Sequence, residues 1–373
     1  MNEPESLNDK LLFTPGPLTT SRSVKEAMLR DLGSRDAAFI EIVRSIRERL
    51  LDIGGVSKEV GFEAILMQGS GTFGIESVIS SAVPDNGKLL VLINGAYGRR
   101  IETIARRCGV VVTSIEWPEN EPIPADEVER ALGRATDVTH VAVVHCETTS
   151  GVMNPVEEIG GVVRSAERVF IVDAMSSFGG TALDVGRARI DFLVSSSNKC
   201  IEGVPGFSFV IARREELLKA EGIALSVSLD LFAQWEGLER NGQFRFTPPT
   251  HALLAFNQAL KELEEEGGVV ARAARYRRNH EILLVGMREL GFQEYVPREH
   301  QGWIITTFLY PDDPAFDFNA FYENLSARGM VIYPGKLTEL DCFRIGNIGR
   351  LDESHMRALL DAIKEVALEM GLR

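Results

Sequence analysis

The middle of the chain alternates short apolar runs with longer amphipathic segments. The apolar runs are rich in β-branched residues and nearly continuous, as strands buried on both faces are. They lie at 64–67, 88–93, 109–115, 140–145, 169–173, 192–196 and 207–212. Between several of them, in segments such as GIESVISSAV and GRRIETIARRC, apolar residues recur every third or fourth position. This alternation predicts an α/β fold, in which a mostly parallel sheet is wrapped by helices.

From about Ser226 the pattern changes. The stretch SLDLFAQWEGLERNGQFRFTPPTH is interpreted as a connection, and the apolar spacing then predicts a helix from Ala252 to Glu266 and another behind a Gly-Gly break. The last hundred or so residues favour strand, helix, strand, strand and helix, in WIITTFLY, FDFNAFYENLSARG, VIYPG, CFRIGNIG and ESHMRALLDAIKEVALEMG. We therefore predict a large domain at 20–270 and a smaller α+β domain at 271–373.

Length and charge narrow the class of protein. The chain has 373 residues, of which 45% are hydrophobic and 25% charged, which is enough to bury more than one core. Its net charge of −14 repels polyanions, so nucleic acid and anionic membrane surfaces are not expected partners. Any anion site must therefore be small and enclosed.

The cysteines indicate a compartment. Cys108, Cys146, Cys200 and Cys342 are scattered without a CxxC pair, and the start MNEPESLNDK has no signal-peptide pattern. No apolar run approaches the length of a membrane span. We expect free thiols, a cytoplasmic location and no metal site.

The segment GSGTFG, at 69–74, allows two interpretations. It follows a predicted strand and opens a predicted helix, as the dinucleotide-binding pattern GxGxxG does, but the next strand ends in Asn94 and Gly95 where that fold needs an acidic residue. The alternative is more general. Backbone N–H groups at a helix start, with the Ser70 and Thr72 hydroxyls beside them, bind one phosphate, although an ordinary helix cap has the same composition.

Polar residues follow two of the buried strands. Asp173 ends the strand VFIVD, and the strand HVAVVH is followed by Glu147, Thr148, Thr149 and Ser150. In an open α/β sheet, ligands bind at the carboxyl ends of the strands, so these side chains lie on the expected functional edge. A helix-capping role for Asp173 remains the structural alternative.

Lys199 completes a set on that edge. It follows the strand after the one that carries Asp173, and partial burial there would free its amine for imine formation with an aldehyde. A single lysine of this kind is more often a solvated loop residue. A lysine, an acid and a phosphate cup together are what pyridoxal 5′-phosphate requires, so the set predicts this cofactor.

The same segments carry a family resemblance. The chain is similar to the class V aminotransferases of fold type I, which depend on pyridoxal phosphate, in LLFTPGPLTTSRSVKEAML, LMQGSGTFGIES, LINGAYGRR, HCETTSGVMNPVEEI, IVDAMSSFGG, NKCIEGVPGFSFVIAR, SLDLFAQW, FRFTPPTHALLAFNQAL, VIYPGKL and CFRIGNIG. Within that family it most resembles the transaminases of phosphonate catabolism, which act on 2-aminoethylphosphonate and pyruvate. The resemblance implies a large domain with a mostly parallel sheet, a smaller α+β domain at the C-terminus, and residues 1–19 as a segment that closes the active site.

The resemblance assigns roles to residues of the cofactor site. It makes Lys199 the Schiff-base lysine and proton carrier, and Asp173 the partner of the pyridine nitrogen. The remaining cofactor residues that it implies are Ser70, Gly71 and Thr72 at the phosphate, Tyr97 over the ring, Thr148 near the phenolic oxygen, Asn198 beside the lysine, and Thr247 at the phosphate of the neighbouring subunit. The last of these implies a homodimer with shared active sites.

Fewer residues are predicted to bind the substrate than to bind the cofactor. The resemblance makes Arg344 the group that holds the acidic end of the substrate, and a guanidinium suits a carboxylate or a phosphonate because it donates two parallel hydrogen bonds. Gly16 is expected to approach the substrate with its backbone. Arg35 stands where relatives often have tryptophan. It is interpreted either as a second anion contact or, preferably, as a helix-end residue in a salt bridge.

The function that this resemblance implies is transfer of the amino group of 2-aminoethylphosphonate to pyruvate, giving phosphonoacetaldehyde and L-alanine. Three alternatives stay open at this stage. Another class V enzyme, such as an alanine–glyoxylate or serine–pyruvate transaminase, shares every cofactor residue. A cysteine desulfurase would need a mobile cysteine, for which Cys342 is the candidate, and a catalytically idle cofactor-binding protein would use the same fold.

Overall fold

The computed structural model describes residues 9–337 and 340–372, so most of the predicted 1–19 segment is included while residues 1–8 lie outside the described part. The strands are β1 (Leu11–Leu12), β2 (Phe62–Gln68), β3 (Lys88–Ile93), β4 (Val111–Glu116), β5 (His140–Val144), β6 (Val169–Asp173), β7 (Phe192–Ser196), β8 (Phe207–Arg213), β9 (Ile305–Leu309), β10 (Met330–Val331), β11 (Tyr333–Pro334) and β12 (Cys342–Gly346). The helices are α1 (Arg22–Glu26), α2 (Ala37–Ile53), α3 (Gly71–Ala82), α4 (Ala96–Arg107), α5 (Ala125–Arg134), α6 (Val156–Ser165), α7 (Arg214–Leu218), α8 (Leu231–Asn241), α9 (Thr250–Glu266), α10 (Gly268–Glu289), α11 (Phe318–Ala327) and α12 (Glu353–Glu369).

A seven-stranded sheet with the order β2-β8-β7-β6-β5-β3-β4 forms the centre of the larger unit. Neighbouring strands from β4 to β7 pair in parallel, and β8 runs antiparallel to both β7 and β2. Strands β5 and β7 are buried along their whole length, as their continuous apolar runs predict. The mostly parallel α/β fold that the sequence predicts is therefore confirmed, and the carboxyl ends of β3, β5, β6 and β7 meet at one edge of the sheet.

The smaller unit is built on an antiparallel sheet with the order β11-β12-β9, and α11 and α12 contribute to the same hydrophobic core. Its core is aromatic, and the ring of Phe343 on β12 lies 5.7 Å from that of Phe308 and 5.6 Å from those of Phe292 and Phe321. Strand β1 pairs in parallel with β10, which attaches the N-terminal segment to this unit. Arg344 is the middle residue of β12.

Helix α10 connects the two units. Its first turns carry Arg272 and Tyr276, which donate hydrogen bonds to the carbonyl oxygen of Cys200 in the larger unit, at 2.6 and 3.2 Å. Its later turns bury Leu283 and Met287 in the core of the smaller unit. The boundary near residue 271 stays a prediction, because this helix belongs to both cores.

The connection predicted after Ser226 is partly wrong, because it contains helix α8. The Asp230 side chain accepts a hydrogen bond from the N–H of Ala233 and begins the helix, and Gly242 ends it in the left-handed conformation, with φ of 73°. Aromatic residues and the two prolines that follow obscured this helix in the sequence. Among the described ranges, no helix has both the length and the apolar character needed to cross a membrane.

Candidate active site

A cavity of about 170 Å³ opens where the carboxyl ends of the parallel strands meet. Thr148 reaches it from the turn after β5, Asp173 from the end of β6, and Lys199 from the loop after β7. Its lining is completed by Ser70, Gly71, Thr72, Ile75, Tyr97, Arg100, Ile101, Ile104, Met175, Ser176, Ser196 and Asn198. The sheet therefore brings together most of the cofactor residues that the sequence predicts.

Helix α3 begins at the cavity wall and offers a site for an anion. Ser70 is its N-cap residue but makes no side-chain capping bond, and the N–H groups of Gly71 and Thr72 have no hydrogen-bond partner among the described residues. A Cβ atom on Gly71 would lie 2.3 Å from the Met175 sulfur, so the Met175 side chain would have to move to admit one. Free N–H groups at the positive end of a helix bind a phosphate group well.

Asp173 is a buried carboxylate, and one of its two oxygens already accepts a hydrogen bond. Its Oδ1 accepts a hydrogen bond from the N–H of Met175 at 2.9 Å, and Oδ2 has no partner among the described residues. Burial raises the pKa of Asp173 to about 7, against the opposing effects of the Met175 N–H and of the positive charges on Lys199 and Arg100. An acceptor of this kind suits a positively charged N–H group on a ligand.

Lys199 is held by the N-terminal segment. Its amine donates a hydrogen bond to the carbonyl oxygen of Pro15 at 2.6 Å. Burial lowers the pKa of Lys199 to about 8. A useful fraction of the neutral amine therefore exists near neutral pH, and only the neutral amine attacks an aldehyde.

Gly16 contacts Lys199 closely. A Cβ atom on Gly16 would lie 2.7 Å from the carbonyl oxygen of Asn198 and 2.9 Å from Cδ of Lys199, and the φ of Gly16 is +108°. The structure thus places Gly16 at the lysine, and its predicted contact with substrate stays a prediction. The neighbouring polar groups are paired, since the Asn198 amide oxygen accepts from Ser196 Oγ at 3.3 Å.

Glu147 is a buried carboxylate that holds the start of helix α4. Its oxygens accept hydrogen bonds from the N–H groups of Tyr97 and Gly98 at 3.3 Å and from the Thr149 hydroxyl at 2.8 Å. Burial raises the pKa of Glu147, and these hydrogen bonds oppose the rise. Glu147 therefore fixes the position of Tyr97, whose side chain lines the cavity.

Arg344 adjoins the cavity from the smaller unit. It is only 2% exposed, and its Nε and Nη1 donate hydrogen bonds to the carbonyl oxygens of Pro334 and Thr148, at 3.0 and 2.9 Å. Burial lowers the pKa of Arg344, while the neighbouring Tyr97 opposes that effect. The two backbone contacts fix the guanidinium, which keeps part of its donor set for a ligand.

Two predicted residues lie away from this cavity. Thr247 and Arg35 line the same surface groove, together with Phe246. Arg35 is exposed and precedes the N-cap Asp36 of α2, so its predicted place at a helix end is confirmed. It makes no ion pair among the described residues, and its predicted salt bridge stays a prediction. Thr247 can therefore serve a cavity only if that cavity belongs to a second subunit.

The sequence did not reveal several residues of the wall, among them Arg100 and Ser176. Arg100 lies one helical turn after Tyr97, and its Nη1 is 3.3 Å from the Thr72 hydroxyl oxygen. The Ser176 hydroxyl hydrogen-bonds with that of Thr148 at 2.7 Å. The spacing of three residues from Tyr97 was a usable signal for Arg100, because such residues share a helix face, whereas Ser176 had none beyond its closeness to Asp173.

Comparisons with known proteins agree with this geometry. The family model described as "Aminotransferase class-V" matches residues 20–318, and the chain belongs to this family. Two relatives are both named 2-aminoethylphosphonate–pyruvate transaminase. The one from Bacillus cytotoxicus is 51% identical over 95% of this chain and 97% of its own length, and the one from Syntrophobacter fumaroxidans is 50% identical over 98% of each.

A solved structure shows the same fold. The pyridoxamine–pyruvate aminotransferase from Mesorhizobium loti superimposes with a TM-score of 0.90 at 25% identity, covering 100% of this chain and 95% of its own. The predicted aminotransferase fold and enzyme class are therefore confirmed. The dinucleotide interpretation of residues 69–74 finds no support, since β2 pairs only with the antiparallel strand β8 in the described sheet.

The desulfurase alternative fails on the position of its cysteine. Cys342 is 3% exposed and lies within β12, where it pairs with Leu309. A sulfur carrier must move between substrate and acceptor, and a buried strand residue does not. Burial also raises the pKa of the two thiols nearest the cavity, Cys146 and Cys200, which makes them poor nucleophiles.

Proposed function

We propose that this enzyme uses pyridoxal 5′-phosphate to transfer the amino group of 2-aminoethylphosphonate to pyruvate, with phosphonoacetaldehyde and L-alanine as products. The observation that carries the substrate pair is the near-full-length similarity to transaminases of that name, at 50 and 51% identity. The observation that carries the cofactor is the meeting of Lys199, Asp173 and the start of α3 in one cavity.

The residues present fit this cofactor. The unpartnered N–H groups of Gly71 and Thr72 suit its phosphate, the free Oδ2 of Asp173 suits its ring nitrogen, and the Lys199 amine suits its aldehyde. When bound, pyridoxal phosphate supplies an aldehyde that condenses with amines and a ring that takes up electrons from the substrate carbon. Tyr97 would lie against the ring, and Thr148 near its oxygen substituent.

Lys199 moves the proton. Its Nζ would take the proton from the carbon that carries the donor nitrogen and deliver it to the carbon that the cofactor's aldehyde supplies, so it must be neutral when it first acts. The pKa of about 8 makes that state accessible. Asp173 stabilises positive charge on the ring nitrogen, because its carboxylate lies in a buried site where electrostatic effects are strong.

Arg344 orients both substrates. The guanidinium is fixed by the carbonyl oxygens of Pro334 and Thr148, so it meets each acidic group at one place. The donor phosphonate and the pyruvate carboxylate would occupy this place in turn. Such sharing predicts that donor and acceptor react in alternation, with ping-pong kinetics.

We also infer a homodimer in which Thr247 completes the partner's site. Its groove borders exposed aromatic side chains, since Phe73 is 51% and Phe246 46% exposed. Exposed apolar residues around one polar group are typical of a subunit interface. All four cysteines are free thiols, which supports a reducing compartment such as the cytoplasm.

A donor panel tests the proposal. The full-length protein loaded with pyridoxal phosphate is incubated with pyruvate and one amine at a time, and L-alanine is measured. We expect alanine from 2-aminoethylphosphonate and none from the Lys199→Ala protein. Alanine formation from serine but not from 2-aminoethylphosphonate, or alanine consumption with glyoxylate, would transfer the assignment to another class V transaminase.

A further inference from the structure

Arg344 alone does not match a phosphonate. Two of its nitrogens, Nε and Nη1, already donate to backbone carbonyl oxygens, so it can present one terminal edge to a ligand. One edge matches the two oxygens and the single charge of a carboxylate. A phosphonate has three oxygens and can carry two negative charges, whereas a carboxylate carries one. A donor site built for it needs a further cation.

Three cations surround Tyr97. The Arg100 guanidinium carbon lies 4.7 Å from the centre of the Tyr97 ring, the Lys336 Nζ lies 5.0 Å from it, and Arg344 is the third. In the described ranges none of the three belongs to an ion pair, although the protein as a whole carries a net charge of −14. The cluster is therefore a local positive region in an acidic protein.

The nearby carboxylate does not neutralise this cluster through direct contact. Glu147 attracts the ammonium of Lys336, but its hydrogen bonds are to Tyr97, Gly98 and Thr149. Partial burial and the charges of Arg100 and Arg344 lower the pKa of Lys336. A bound dianion relieves this mutual repulsion more than a monoanion does.

The three cations lie on two sides of the site, one side facing the cofactor phosphate and the other the substrate. Arg100 contacts the Thr72 hydroxyl at the start of α3, which is the side of the cofactor phosphate. Lys336 follows β11 and belongs to the same unit as Arg344, two residues after the carbonyl oxygen of Pro334 that holds Arg344 in place. Lys336 is thus the cation on the substrate side.

We propose that Lys336 is a specificity-determining residue, whose ammonium supplies the second positive charge that lets this site prefer a phosphonate dianion to a carboxylate. The inference deepens the proposed function and rests on it for the identity of the donor. It predicts different effects on the two half-reactions, because the donor carries a phosphonate and the acceptor, pyruvate, carries a carboxylate. Lys336 should matter for the first and not for the second.

The first test measures binding without turnover. Ethylphosphonate and propionate have no amino group, so their dissociation constants for the cofactor-loaded enzyme are obtained by calorimetry in the wild type and in Lys336→Gln. We expect Lys336→Gln to weaken ethylphosphonate by about tenfold or more, as loss of one charged hydrogen bond does, and propionate by less than about threefold. Lys336→Arg should retain most of the preference, and the exposed Lys364→Gln should change neither constant.

The second test measures each half-reaction in a single turnover. Lys336→Gln should lower kcat/KM for 2-aminoethylphosphonate by about tenfold or more and leave the pyruvate half-reaction within about threefold. Equal losses for both anions, or no loss for either, would overturn the specificity role. If the wild type makes no alanine from 2-aminoethylphosphonate while Lys336→Gln still loses ethylphosphonate affinity, the donor assignment is wrong and Lys336 selects another dianionic amine.

Discussion

The amine of Lys199 lies 2.6 Å from the carbonyl oxygen of Pro15, so the N-terminal segment touches the reacting group itself. The contact crosses between the two units, because Pro15 follows β1 of the smaller one and Lys199 follows β7 of the larger. The segment is further held at Gly346, where an added Cβ atom would lie 2.3 Å from the carbonyl oxygen of Thr14. The N-terminal segment therefore helps to place the lysine.

The first prediction concerns Gly16. Its φ of +108° and the 2.7 Å approach to the Asn198 carbonyl oxygen leave no room for a side chain. Gly16→Ala should therefore displace Lys199 and lower kcat by about tenfold or more, since small misplacements of catalytic groups are costly. Gly33→Ala is the matched control, because its Cβ atom would come no closer than 3.9 Å to a neighbour. Equal activity of both variants would contradict the account.

The second prediction links Asp173 to stability. Its folded pKa of about 7 exceeds the ordinary value of 3.8, so ionisation of the buried carboxylate costs stability progressively between pH 4 and 7 and fully above pH 7. In cofactor-free protein, Asp173→Asn should therefore be more stable than the wild type at pH 8, by up to roughly 4 kcal/mol, and equally stable near pH 4. Urea unfolding at the two pH values measures this.

The substitution Asp173→Asn should lower activity, although it raises the stability of the cofactor-free protein at pH 8. The loaded Asp173→Asn enzyme should lose at least about a hundredfold in kcat, because the charge that stabilises the ring nitrogen is gone. Asp312→Asn, an exposed loop substitution, is the control for both measurements. A variant that is less stable at pH 8 than at pH 4 relative to the wild type would reverse the sign and refute the assignment of burial as the cause.

The third prediction concerns the Lys199 amine. Since burial lowers its pKa to about 8, the neutral amine fraction should rise through pH 8 and level off above pH 9. The rate of amidination of Lys199 by methyl acetimidate, followed by peptide mass analysis of cofactor-free protein, should show this profile. The exposed Lys364 serves as the internal reference. A Lys199 rate that is still climbing steeply at pH 10 would contradict the lowered pKa.

The fourth prediction tests the shared site. Thr247→Glu should abolish activity by placing a carboxylate at the cofactor phosphate, and Lys199→Ala should abolish it by removing the amine. If Thr247 serves the partner subunit, dimers that combine one chain of each variant contain one intact site. Coexpression should then restore activity to a substantial fraction of the wild type. Two variants that stay inactive in verified mixed dimers would show that Thr247 serves its own chain or neither.

The sequence predicted the sheet and its chemical edge for a physical reason. Strands buried on both faces need continuous apolar runs, and the carboxyl ends of parallel strands meet, so Asp173 and Lys199 had to lie near each other. The start of α3 followed from the same argument. These residues are positioned by one sheet, and each of its strands can be recognised from its own short apolar run.

Other features depended on packing between distant segments. Lys336 and Arg344 reach Tyr97 only because the smaller unit lies against the larger, and nothing in the spacing of residues 97 and 336 encodes that distance. The sequence showed Glu147 only as one polar residue after a strand. Its hydrogen bonds with the N–H groups of α4 are seen only in the structure. Helix α8 was missed because its capping residues stand among aromatic residues and prolines.

The most direct test of the central claim compares two donors that differ only in the acidic group. 2-Aminoethylphosphonate and β-alanine share the same two-carbon amine, and one carries a phosphonate where the other carries a carboxylate. With saturating pyruvate, the account predicts a kcat/KM for 2-aminoethylphosphonate at least about tenfold above that for β-alanine, as one additional charged contact would produce. Equal values, or a preference for β-alanine, would contradict it.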